Sequence, residues 1–208
     1  MKIYQAVVGM LATNCYLAVN ESTGEGIVFD PGADCPAILR MAAQAKAKIV
    51  AIFLTHGHSD HIGGLNDLRK ATGAPVYMSQ EDADCLSDPS INLSFFIGID
   101  IISEPPEYCV SDGDVLEVAG MKFEVLATPG HTKGGICFYS AEEEVAFVGD
   151  TIFCESIGRT DLPGGSYRQL ISAIKTKLMV LDDKVHLLPG HGPITYVGWE
   201  RRRNPFLQ

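Results

Sequence analysis

The sequence is short of basic charge, of paired cysteines and of long apolar runs, and each shortage excludes a class of protein. Sixteen Lys and Arg stand against 26 Asp and Glu, a formal net charge of −10, which repels phosphate backbones unless the bases gather in one patch. The one cluster is Arg201-Arg202-Arg203, which reads as a solvated face. Nucleic acid is not an expected partner. No apolar stretch approaches the ~20 residues that cross a bilayer, so no membrane partner is expected either. The six cysteines, Cys15, Cys35, Cys85, Cys109, Cys137 and Cys154, form no C-x-x-C pair, which argues against a disulfide framework or a thiolate zinc knuckle. They read as small buried hydrophobes suited to a reducing, cytoplasmic setting. In the first ten residues the apolar stretch Ala6-Val7-Val8 is too short for an export signal and reads as part of a first strand.

What is present is a globular composition. The 208 residues are 46 % hydrophobic and 20 % charged, with 21 Gly, and at roughly 150 residues per domain they predict one domain over 1–208. Apolar runs punctuated by Gly and Pro predict strands at 2–8, 15–19, 27–30, 49–54, 76–78, 115–118, 122–127, 136–139, 145–148 and 185–188. Helices are expected at 36–45, where Ile38, Leu39, Met41 and Ala42 share a face, and at 166–178, with Tyr167, Leu170, Ile171, Ile174 and Leu178 at helical spacing. A third is expected over 61–70, and 87–106 reads as a long irregular excursion.

The chemistry lies in where the histidines fall. Five of the six follow strand-like runs and sit in Gly-rich turns. The runs lead into Thr55-His56-Gly57-His58-Ser59-Asp60-His61, Thr128-Pro129-Gly130-His131, Gly149-Asp150-Thr151 and Pro189-Gly190-His191-Gly192. Four strands therefore each end in a metal-ligand side chain. Continuously apolar strands belong to the middle of a sheet, where loops at one end of neighbouring strands meet in a crevice. A lone Pro-Gly-His is an ordinary turn, but neither helix nor loop gains from four such side chains in H-x-H-x-D-H. His186, mid-strand, reads as a non-ligand. Gly57 is expected to let the chain turn tightly, so that Asp60 and His61 face a different ion from His56 and His58. A hydrolytic zinc takes about three protein ligands and keeps a position for water, so five His and two Asp suit two ions. His56, His58 and His131 would hold the first and Asp60, His61 and His191 the second, with Asp150 bridging a gap of about 3.5–4 Å.

This ordered ligand set resembles the metallo-β-lactamase superfamily over nearly the whole chain. The resemblance implies an α/β fold, a four-layer αββα sandwich of two mixed sheets flanked by helices, with a dinuclear site at the sheet edge. Gly149-Asp150-Thr151-Ile152-Phe153, the segment from Ser156 through Gly158-Arg159-Thr160-Asp161 to Gly165, and the tail from Glu200 to Leu207 resemble the short bacterial glyoxalase II-like hydrolases. These cleave a thioester such as S-lactoylglutathione to an acid and a free thiol. The implied function is metal-dependent hydrolysis of a small-molecule thioester with two divalent ions, zinc first, iron and manganese also suiting such ligands. The ions lower the pKa of a shared water toward about 7, and Asp60 and Asp150 are the expected catalytic residues that hold and orient the resulting hydroxide. The family's glutathione-binding Lys falls at Arg159, a candidate clamp for a substrate carboxylate; its alternative role is a salt bridge with Asp161. The family's two tyrosines are replaced here by Asp161 and Pro193, and with 17 residues after His191 no C-terminal helical domain is expected.

Two other readings stay open. Mononuclear iron persulfide dioxygenases share the scaffold and the Gly-Arg-Thr-Asp loop, holding iron through residues that match His56, His131 and Asp150. A metal-stabilised binding module without turnover is the other. The complete second ligand set and Leu162-Pro163 look more like the hydrolases, and β-lactam cleavage is not expected where no export signal is read.

Overall fold

Strands that are apolar at every position need cover on both faces, and the chain provides it by stacking two six-stranded sheets. A computed structural model describes residues 1–208. The first sheet runs in chain order through β1 (Lys2–Val8), β2 (Thr13–Asn20), β3 (Glu25–Phe29), β4 (Lys48–Phe53), β5 (Val76–Ser79) and β6 (Tyr108–Val110). Its first three strands pair antiparallel and β3 to β6 pair parallel. The second half supplies β7 (Val115–Val118), β8 (Met121–Ala127), β9 (Ile136–Ser140), β10 (Val145–Gly149), the small hairpin β11 (Ile152–Phe153) and β12 (Ser156–Ile157), then β13 (His186–Pro189) and β14 (Thr195–Tyr196). Its sheet is ordered β14-β13-β10-β9-β8-β7, with the β10–β13 pair parallel and the others antiparallel.

Period-two alternation distributes each strand between two cores. In β2, Tyr16 and Ala18 face the space between the sheets while Cys15, Leu17 and Val19 face outward under helices. The inner core is aromatic: Phe29 stacks on Phe147 with centroids 3.7 Å apart and meets Phe53, Phe123 and Phe138 edge-on. Helices α1 (Cys35–Gln44) and α3 (Leu65–Thr72) cover the outer face of the first sheet through Ile38, Met41, Leu65 and Leu68. Between them in sequence lies the one-turn helix α2 (Ser59–Ile62). The second sheet is covered by α4 (Tyr167–Ala173), its π-helical continuation Ile174–Leu178, and Val197 of α5 (Val197–Arg203). The layers are therefore αββα. No helix is long and apolar enough to cross a membrane.

All ten expected strands form, with ends displaced by no more than two residues. The strands that were missed, β6, β11, β12 and β14, have only two or three residues, too few to display an alternation. The expected helix at 61–70 is two helices, because Gly63-Gly64 interrupts it. Helix α5 went unseen; it carries the three arginines outward, where Arg201 and Arg202 pair with Asp183. Cys15, Cys35, Cys85 and Cys137 are buried as expected, whereas Cys109 is exposed on β6. The stretch 87–106 is irregular, with one short turn at Ser94–Ile97, and buried Asn92 pins it by donating to the carbonyls of Cys85 and Ile101.

Because Phe29 joins both sheets through four aromatic neighbours, Phe29→Ala is predicted to cost about 3–5 kcal/mol of stability. Urea unfolding monitored by circular dichroism measures it; a loss under about 1 kcal/mol would mean that the inter-sheet core closes over the gap.

Candidate metal centre

The turns after β4, β8, β10 and β13 bring all seven predicted side chains into one cluster. One ligand atom from each of His56, His58 and His131 lies within 4.8 Å of the others, and the same holds for Asp60, His61 and His191. A third group, His56, His61 and Asp150, meets the same limit. Asp150 stands between the triads: Oδ1 is 3.4 Å from His61 Nε2, and Oδ2 is 3.5 Å from His131 Nε2 and 3.6 Å from His191 Nε2. His186 belongs to none of these groups; it is exposed on β13 and paired in the sheet with Val145.

Hydrogen bonds behind the rings decide which nitrogen faces inward. Asp30, directly after β3, accepts from Thr55 N–H at 2.8 Å and from the Thr55 hydroxyl at 2.7 Å. It also accepts from His61 Nδ1–H at 3.0 Å, so Nε2 is the His61 nitrogen aimed into the site. The Thr55 hydroxyl has given its one proton to Asp30, so at 3.2 Å it accepts from His56 Nδ1–H, and His56 too presents Nε2. His131 Nδ1–H donates to the Arg159 carbonyl at 2.8 Å and His191 Nδ1–H to the Leu11 carbonyl at 3.1 Å. His58 differs, approaching His131 Nε2 through Nδ1 at 2.9 Å.

Three inward atoms, His56 Nε2, His61 Nε2 and Asp150 Oδ1, are buried and have no hydrogen-bond partner. Leaving polar atoms unpaired in a protein interior is costly, and a cation at their meeting point would satisfy all three, so the donor set fits a metal. Burial and the surrounding imidazoles push His56 well below the usual histidine range and His58 down to about 3. Both are therefore in the neutral form that a metal requires. Burial also disfavours charge on His61, but the carboxylates of Asp150, Asp30 and Asp60 prevail and hold it well above the ordinary value. Asp60 and Asp150 are penalised by burial too, yet His61 and its neighbours keep both below the usual carboxylate range.

Backbone and second-sheet contacts fix the loops. Asn14 of β2 donates from Nδ2 to the carbonyls of Pro189 and Gly192, both at 2.9 Å, and the Tyr16 hydroxyl donates to Pro189 at 2.9 Å, so the first sheet anchors the His191 turn. The Thr13 hydroxyl reaches Asp60 Oδ2 at 3.2 Å. Gly57 permits close packing: a Cβ there would lie 2.2 Å from the Cβ of Cys85. Gly190 has the same duty toward the site, since its Cβ would meet Asp150 Oδ1 at 2.3 Å. Asp30, the Thr55 hydroxyl and Asn14 escaped the sequence reading. Asp30 alone had a visible cue, an acid closing an apolar strand before Pro31-Gly32.

Arg159 adopts the salt-bridge alternative. Its guanidinium binds both carboxylate oxygens of Asp161, at 2.8 and 2.9 Å, with both side chains well exposed. What it contributes directly to the cluster is its backbone carbonyl, the acceptor for His131.

The family model described as metallo-beta-lactamase superfamily matches residues 8–200. The chain belongs to the metallo-β-lactamase superfamily. It is 36 % identical to hydroxyacylglutathione hydrolase GloC of Haemophilus influenzae, covering 93 % of this chain and 92 % of that protein. Among solved structures it resembles the BLEG-1 B3 metallo-beta-lactamase with TM-score 0.95 at 36 % identity over 99 % of both chains. It also resembles ETHE1 from Myxococcus xanthus, with TM-score 0.83 at 30 % identity over 99 % of this chain and 84 % of that one. The superfamily accounts for both the αββα layers and the His/Asp cluster.

Because a Cβ on Gly190 would crowd Asp150 Oδ1 and His61 Cε1, at 2.3 and 2.6 Å, Gly190→Ala should displace both side chains. Misplacement by an ångström can cost about 100-fold in rate. The expected outcome is weakened zinc binding with an unchanged circular dichroism spectrum; zinc titration that matches the wild type would show that the loop yields instead.

Proposed function

We propose that the protein is a dinuclear metal-dependent thioester hydrolase of glyoxalase II type, acting on an acyl thiol such as S-lactoylglutathione in the cytoplasm. The observation that carries this reading is Asp150, whose two oxygens face His61 on one side and His131 and His191 on the other. A carboxylate shared between two ligand triads suits two ions rather than one. In this reading His56, His58 and His131 hold one divalent ion, Asp60, His61 and His191 the other, and Asp150 both. Zinc is the first choice for such imidazole-rich sites. The bound ions supply Lewis acidity, polarising a carbonyl and making water acidic near neutral pH.

The chain's own groups do the rest. Asp60 and Asp150, kept ionised by the neighbouring imidazoles, would hold and orient the attacking water. Asp30 and the Arg159 carbonyl keep His61 and His131 from turning their lone pairs away. Arg159 remains the proposed anchor for a substrate carboxylate: its partner Asp161 is exposed, and an exposed ion pair holds weakly enough to be exchanged. Similarity to GloC supports the thioester.

A second reading follows from the likeness to ETHE1 and the shared Gly-Arg-Thr-Asp loop, namely persulfide oxidation at a single iron held by His56, His131 and Asp150. Metal analysis with a substrate panel separates the two. Protein purified without added metal is expected to carry two ions per chain and to hydrolyse S-lactoylglutathione. Chelation should abolish turnover, zinc should restore it, and His58→Ala should lower it at least about 100-fold without changing the unfolding midpoint. One iron per chain with oxygen uptake on glutathione persulfide would overturn the hydrolase, and opening of a cephalosporin in preference to any thioester would move the substrate toward that of BLEG-1.

A further inference from the structure

Asp82 is not one of the seven ligand residues and carries none of the motifs that mark them. It sits in the turn Gln80–Leu86 after β5, only 2 % exposed. No Lys or Arg pairs with it. Its carboxylate is held by three donors from two loops of the metal centre. Gly57 N–H reaches Oδ2 at 3.3 Å, the Thr132 hydroxyl reaches Oδ2 at 2.7 Å, and Gly134 N–H reaches Oδ1 at 2.7 Å. Gly57 lies between His56 and His58, and Thr132 directly follows His131. All three members of the first triad are thus one residue away from a group that this carboxylate holds.

Burying an ionised carboxylate with no cationic partner is expensive, so space-filling does not account for it. An anion accepts from every donor on both oxygens at once, and the three donors here come from segments about 75 residues apart in the chain. The fit is close: a Cβ on Gly134 would stand 2.7 Å from Asp82 Oδ1. We infer that Asp82 is a positioning residue that locks the His56–His58 turn to the His131 loop at the spacing needed for one cation to be bound by all three imidazoles. This inference rests on the metal-centre reading above. It assigns Asp82 to the first ion only, because Asp60, His61 and His191 are held by Thr13, Asp30 and Leu11 instead.

An amide separates the bonds from one another. In Asp82→Asn the side-chain oxygen can still accept from Gly134 N–H, and the amide can donate to the Thr132 oxygen, but the Gly57 N–H then faces another donor. Asp82→Ala removes all three bonds. Equilibrium titration with zinc alone, against a chromophoric chelator, reads both sites, with the absorption of the cobalt-loaded protein reporting the geometry of the first. Outer partners of ligands typically contribute about 10- to 100-fold in metal affinity. The expected result is loss of that order at one site in both variants, larger in Asp82→Ala, with the other site within about threefold of wild type and a changed cobalt spectrum. Exposed Glu81→Gln should leave both unchanged. Two wild-type affinities in Asp82→Asn and Asp82→Ala would overturn the inference, as would equal weakening of both sites with a fall in unfolding midpoint, which marks a merely structural role. If the wild-type chain takes up no zinc, the metal-centre reading fails first, and the two failures remain distinct.

Discussion

The site depends on one buried carboxylate that need not touch a metal. Asp30 accepts three hydrogen bonds, two from Thr55 and one from His61, and by doing so fixes which ring nitrogen faces inward for His61 directly and for His56 through the Thr55 hydroxyl. Hydrogen bonds to a charged acceptor contribute about 1.5–3 kcal/mol each, enough to hold a ring against the flip that would turn N–H toward a cation. Asp30 in turn has its place because β3 pairs parallel with β4, so the end of one strand lies beside the turn that begins with Thr55. Sheet topology thus becomes ring orientation.

The two triads differ in charge as well as in composition. The first is three imidazoles, two of them kept neutral by burial and mutual repulsion. The second mixes a carboxylate with two imidazoles, and there the carboxylates outweigh burial for both His61 and His191. It is also the wetter side: the Asp60 and His191 side chains are 20 % and 27 % exposed against 6 % for His131. On this side the Leu11 carbonyl of the exposed β1–β2 turn accepts from His191, whereas the three imidazoles of the first triad are buried.

The ligands could be read from the sequence because each belongs to a local pattern, an apolar run that ends in a Gly-rich turn, and such patterns survive without knowledge of the fold. The groups that orient them could not. Asp30 serves His61 across 31 residues, Asp82 serves the His131 loop across 50, and Asn14 serves the His191 turn across 175. Each is a lone polar residue whose purpose exists only once two sheets have stacked. Gly57 shows the same limit from the other side: the space that excludes a Cβ there is filled by Cys85, from a separate segment. The single helix expected at 61–70 is two, Ser59–Ile62 and Leu65–Thr72, because the Gly63-Gly64 pair between them breaks the backbone.

Two of the similar proteins carry names for different chemistries, a hydroxyacylglutathione hydrolase and a β-lactamase, each at 36 % identity, so similarity at this level does not select the reaction. A Lewis acid beside an oriented water stabilises any oxyanion placed over it, and selectivity comes from groups that bind one transition state better than another. Those groups must lie around the rim. Here the rim offers an exposed arginine already engaged by Asp161, the apolar Met10 and Leu11, and Phe153 with its ring 6.1 Å from that of His191. The ligand cluster lies in the interior while Arg159, Leu11 and Phe153 stand at its edge, so the side chains free to contact a substrate are not the ones that would hold a metal.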